Sequence, residues 1–275
     1  MDTLKNILIR SLTGIICVIA ISGSIYFHPY AFLLLFALIV GLGLWEFHAF
    51  TGHRAMRLLG TFSGIYLFAA SFFFAGGYVD RCIFLPYILL LQLMLVRGLY
   101  LRTENPVRGW MIALFAQLYC AGFLSLLPFI AFDPSTYEYL PFYVLLIFAF
   151  VWTNDTSAYL IGSIFGRHKM FPRISPQKSW EGFAGGFIVT LSVSLLLAGL
   201  FPGLLTAMHH WPALSVIVVV FATWGDLVES LMKRNFEVKD SGTLLPGHGG
   251  ILDRMDSVIL AVPVVYIYVE YFIRN

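Results

Sequence analysis

Residues 29–49 read PYAFLLLFALIVGLGLWEFHA, with no charged side chain before Glu46. A run of about 20 mostly apolar residues is what an α-helix needs to cross the hydrocarbon core of a bilayer. Similar runs lie near residues 7–27, 58–79, 82–96, 110–132, 140–165, 182–201, 212–229 and 255–273. They are separated by His28-Pro29, Gly77 to Arg81, Pro134 to Glu138 and Pro202 to Pro212, residues that end apolar helices. The expected fold is therefore all-α: a polytopic transmembrane helix bundle of about nine spans. The composition agrees, because 59% of residues are hydrophobic and 12% charged, against about 25% charged in soluble domains.

Charge placement sets the orientation. With the N-terminus on the cytosolic side, the alternating loops gather 15 of the 17 Lys and Arg on that side and leave only Arg81 and Arg274 outside. Such an asymmetry marks the cytosolic face and requires an odd number of crossings, with the C-terminus outside. A net charge of +2 and the absence of a long basic run give no reason to expect nucleic-acid binding. Cys17, Cys82 and Cys120 lie scattered in apolar stretches and read as small buried hydrophobes. Ala20-Ile21-Ser22 faintly resembles a signal-peptidase site, but eight further spans follow, which favours retention. Trp110, Trp180 and Trp211 fall near span ends and read as interfacial anchors.

Polar residues that do not suit lipid concentrate in the second half. Residues 1–135 read as N-terminal scaffold helices, with Glu46 and His48 at an interfacial helix end, and residues 136–275 as the catalytic region with a cytosol-facing polar cavity. Within the latter, Asn154-Asp155-Thr156 lies inside an apolar run, where a carboxylate costs about 2.5 to 3.5 kcal/mol on insertion scales and should face a polar cavity or a cation. A second cluster joins Arg167 and Lys169 to Ser175 and Lys178 just before a helix start, where lysine and backbone N–H groups suit phosphate.

The third cluster runs from Asp226 through Glu229, Ser230, Lys233, Arg234, Lys239 and Asp240 to His248, Asp253, Arg254 and Asp256, across a glycine-bearing loop. Asp226 and Glu229, three residues apart, share a helix face and are expected at the C-terminal end of the eighth span, where the helix dipole disfavours them. Asp253 and Asp256 repeat the spacing where the ninth span begins, a place where capping alone would also favour acids. Hard oxygen ligands without a cysteine set suggest Mg²⁺ rather than zinc. Carboxylates and basic residues around a flexible loop form a site for phosphate groups and their metals, suited to phosphoryl or nucleotidyl transfer. These residue types do not identify the nucleotide or its acceptor.

The run Ser230-x-Met232-Lys233-Arg234-x4-Lys239-Asp240-x-Gly242-x2-Leu245-Pro246-x-His248-Gly249-Gly250-Ile251-x-Asp253-Arg254-Met255-Asp256 resembles the signature of the phosphatidate cytidylyltransferase (CDP-diacylglycerol synthase) family. Asn154-Asp155-Thr156, Gly166-Arg167 and Ser175-Pro176-x-Lys178-x-Trp180-Glu181-Gly182 are similar to that family too. The resemblance implies nine helices and a reaction of CTP with phosphatidate to give CDP-diacylglycerol and pyrophosphate. It implies metal binding at Asp226 and Asp253 with Asp256 close by, and Lys233, Arg234 and Lys239 acting on pyrophosphate or phosphatidate. Ser175, Lys178, Arg167, Asp155, Ser230, His248 and Arg254 are the expected substrate-binding residues. Membrane lipids are the expected surroundings, in a bacterial inner membrane. A monovalent cation beside Mg²⁺, a homodimer, a related enzyme acting on another lipid phosphate or polyprenol, and a transporter stay open.

Overall fold

The computed structural model describes residues 2–101, 105–205, 207–244 and 249–274, with side chains from Leu12 onward. These residues form two compact units, Met1–Phe142 with Phe236–Met255, and Tyr143–Asn235 with Asp256–Asn275.

The first unit opens with α1 (Asp2–Phe27) and α2 (Pro29–Phe50). Pro29 starts α2 where an N–H would have no partner, and His28 accepts the Tyr30 N–H at 3.2 Å. A single 3₁₀ turn, Arg54–Met56, leads into α3 (Arg57–Ala75), and another, Arg81–Phe84, into α4 (Leu85–Tyr100). The next crossing is interrupted: α5 (Pro106–Ala116) passes through a π turn at Gln117–Gly122 and a 3₁₀ turn before α6 (Leu127–Ala131). Buried Gln117 opens that irregular stretch, and its Nε2 donates to the Gly60 carbonyl of α3 at 2.8 Å. Phe32 and Phe36 of α2 and Phe68 and Phe72 of α3 are fully buried and form the unit's aromatic core.

The second unit contains α7 (Phe142–Phe165), α8 (Trp180–Leu200) and α9 (His210–Asn235), and takes in most of α10 (Leu252–Tyr268), whose last turn is a π turn, Val269–Ile273. The basic loop between α7 and α8 is a small antiparallel hairpin, β1 (Lys169–Phe171) and β2 (Ser175–Ser179), with Lys169 opposite Ser179. Ser179 then caps α8 by accepting the Gly182 N–H at 3.1 Å.

Among the described residues, eight helical segments are long and apolar enough to cross a bilayer, and α1 adds the shorter apolar stretch Leu12–Phe27. The chain is a multi-pass integral membrane protein with an all-α bundle. Four details differ from the sequence reading. The eighth span does not stop near residue 229 but continues to Asn235, so Asp226 and Glu229 lie within the helix rather than at its end. Lys233 and Arg234, which look like an interruption in hydropathy, occupy the last turn, where the helix dipole favours cations. Trp211 is buried rather than interfacial, and Cys82 is exposed rather than packed inside.

Candidate active site

In the second unit, Asp155, Lys178 and Asp256 come together with Asp226 and Glu229 of α9. The β2 hairpin strand aims Lys178 at this helix: its Nζ lies 2.7 Å from Asp226 Oδ2 and donates to the Thr223 carbonyl at 3.4 Å. One turn along, the Ser230 hydroxyl donates to Asp226 Oδ1 at 3.1 Å. The carboxylate therefore has both oxygens engaged and is held in one orientation. The same spacing recurs one turn on, where Lys233 Nζ pairs with the fully buried Glu229 at 2.5 Å.

Asp256 of α10 is buried and lies within electrostatic range of Asp226, Glu229 and Asp155. A glycine permits this approach. A Cβ at Gly225 would sit 2.4 Å from the Asp256 carbonyl, so α9 and α10 touch backbone to backbone beside Asp226. Asp155 lies on the exposed face of α7, with Asn154 Nδ2 3.5 Å from its Oδ1.

The hairpin itself is organised by Glu181 in the first turn of α8. Its carboxylate accepts the backbone N–H groups of Arg167 and His168 and lies 2.5 Å from His168 Nδ1. The Arg167 side chain is exposed, and Ser175 starts β2 half-buried, opposite Phe171. Arg234 is exposed, with its Nε 3.5 Å from the Ile174 carbonyl.

The remaining site residues belong to the first unit. Asp253, in the first turn of α10, accepts the Ser241 N–H at 3.0 Å and the Gly250 N–H at 2.8 Å on Oδ2, closing the neck of the glycine loop. Lys239 and Arg254 are exposed. His248 lies outside the described residues.

Among the described residues, no three His, Cys, Asp or Glu side chains converge into a ready-made metal cage. Mg²⁺ seldom needs one, since it is commonly held by one or two carboxylates with waters and substrate phosphates. The donor set suits it: Asp226 presents hard oxygens and already lies 2.7 Å from one cation, the Lys178 ammonium. The chemistry available is the binding of a polyanion and its counter-cation.

The sequence pattern of the cytidylyltransferase family matches residues 8–272. This chain belongs to that family. It is 32% identical to a phosphatidate cytidylyltransferase of Haemophilus influenzae over 280 residues, covering 92% of this chain and 95% of that protein. A phosphatidate cytidylyltransferase of Staphylococcus saprophyticus is 47% identical over 125 residues, 46% of this chain and 48% of its own length. One from Staphylococcus epidermidis is 48% identical over 127 residues.

Sequence reasoning about this cytidylyltransferase missed the roles of Glu181 and Glu46, and it placed Glu229 beside Asp226 without seeing its lysine partner. Glu181 folds the hairpin, Glu229 anchors Lys233, and Glu46 is 3% exposed rather than interfacial. The signal for Glu46 was present, because it is the first charge after a long apolar run. A charge at that position is costly in lipid and should have been given a partner.

Proposed function

We propose that this membrane cytidylyltransferase transfers CMP from CTP to phosphatidate, giving CDP-diacylglycerol and pyrophosphate for phospholipid synthesis. The observation that carries the reading is the charge cluster of the second unit. Asp226 and Glu229 are paired with Lys178 and Lys233, while Asp155 and Asp256 add negative charge that membrane segments tolerate only for a purpose.

An oxygen of the phosphatidate phosphate forms the new bond to the α-phosphorus of CTP, and the bond from that phosphorus to the pyrophosphate oxygen breaks. A phosphate monoester is largely ionised at pH 7, so no strong general base is required. Lys178 and Ser230 hold Asp226 in place. In the second unit Arg167 and Arg234 are exposed and meet phosphate groups, with Ser175 a further candidate; in the first unit Lys239 and Arg254 are exposed candidates, and His248 is a candidate by sequence. In the second unit Asp226 and Asp256 would hold Mg²⁺, which when bound neutralises triphosphate charge; Asp253 of the first unit is a further candidate ligand. The site faces the cytosol of a bacterial inner membrane, in keeping with the one-sided distribution of Lys and Arg.

The test uses purified full-length protein in detergent with radiolabelled CTP, a series of lipid phosphates and Mg²⁺. CDP-diacylglycerol and pyrophosphate are expected from phosphatidate, with activity lost in EDTA and restored by Mg²⁺. Asp226→Asn, expressed and folded, should abolish turnover. Release of CDP instead of pyrophosphate would point to a lipid kinase and overturn the reading.

A further inference from the structure

Glu46 lies in α2 and is almost completely buried. Its Oε1 accepts the Ile251 N–H at 3.0 Å, and its Oε2 accepts the Leu252 N–H at 3.0 Å and the Ser241 hydroxyl at 3.2 Å. Ile251 and Leu252 stand at the start of α10, where backbone donors lack partners within the helix and the dipole favours a negative charge. One side chain from α2 thus caps α10.

Asp253 grips the same neck by different atoms. It takes the Ser241 and Gly250 backbone N–H groups, so Ser241 serves Asp253 through its backbone and Glu46 through its hydroxyl. The packing admits little slack. A Cβ at Gly250 would lie 2.4 Å from Glu46 Oε2, and one at Gly242 would lie 2.5 Å from Oε1. The two carboxylates and two glycines form a clasp at which the loop leaves and returns.

We propose that Glu46 is a positioning residue for cytidylyl transfer, holding both ends of the glycine loop and through them the orientation of Asp253. The inference rests on the functional reading above and extends it to a helix that lies outside the signature runs but touches one of them. Replacement by glutamine keeps the size but turns one acceptor into a donor facing other donors. One of the Ile251 and Leu252 amides then loses its partner, and the neck loosens around Asp253.

The experiment compares full-length wild type, Glu46→Gln and Ser241→Ala in detergent. Steady-state kinetics are read alongside hydrogen–deuterium exchange of the peptide containing Ile251 and Leu252. In Glu46→Gln, kcat should fall by about 100-fold, the scale of a small misplacement at a reacting centre, while KM for phosphatidate stays unchanged. The Ile251 and Leu252 amides should exchange faster, with protection elsewhere retained. Ser241→Ala removes a single donor and should change kcat and exchange in the same direction by less, which keeps the test open if Glu46→Gln does not fold. Faster exchange with unchanged kcat, or a lost kcat with exchange unchanged, would overturn the proposal. Failure of the functional reading would instead show in the wild type, as absence of transfer.

Discussion

Lys178 and Asp226 form the contact on which the second-unit site turns. The ammonium and carboxylate are 2.7 Å apart, with side-chain exposures of 24% and 33%. Exposure at this level screens the pair, so its contribution to stability is small and its weight falls on binding. Charge-assisted hydrogen bonds are worth about 1.5 to 3 kcal/mol. Lys178→Gln should therefore raise KM for CTP by roughly 10- to 100-fold, with the thermal midpoint almost unmoved, and Lys178→Arg should recover part of the loss. Kinetics at varied CTP with a melting curve in detergent check this, and an unchanged KM would remove Lys178 from the nucleotide's reach. Asp226 and Lys178 were both legible in the sequence because charge near or inside an apolar run is expensive. Their pairing was not, since 48 residues separate them.

At the level of elements, α9 carries most of the site on one long surface. Because it runs to Asn235, Asp226 and Glu229 escape the unfavourable last turn and are stabilised by i,i+4 partners, Ser230 and Lys233. The contact with α10 depends on Gly225, against which the Asp256 carbonyl leaves no room for a methyl group. Gly225→Ala should force the helices apart and destabilise the protein by about 1 to 3 kcal/mol, the usual penalty for overpacking. It should also cut turnover, because Asp226 and Asp256 would separate. Thermal unfolding in detergent and an activity assay on the folded fraction read the two effects. A variant as stable and active as wild type would show that the contact has slack.

At the scale of the whole molecule, the hydropathy pattern and the described helices agree over the crossings, from Pro29–Phe50 to Leu252–Ile273. The proposed orientation rests on basic residues, which resist transfer across the membrane when they lie in short loops. In a variant lacking Cys17, Cys82 and Cys120, Arg173→Cys and Asp80→Cys should react with an impermeant maleimide from opposite faces of sealed vesicles. Arg173→Cys should label only when the cytosolic face is outward. Labelling of both from one face would overturn the topology.

The sequence by itself determined the apolar helical segments, their approximate limits and which residues are candidates for the chemistry. Each of these depends on local quantities: transfer free energy summed over about 20 residues, the side on which positive charge is retained, and motifs read along the chain. What only the tertiary structure decided is which charges answer one another. Glu46 binds backbone amides 205 and 206 residues further along, and Lys178 reaches α9 from the β1–β2 hairpin. Hydrogen bonds of that range are set by how helices pack, and packing depends on the shapes of facing surfaces rather than on the order of residues within any one span.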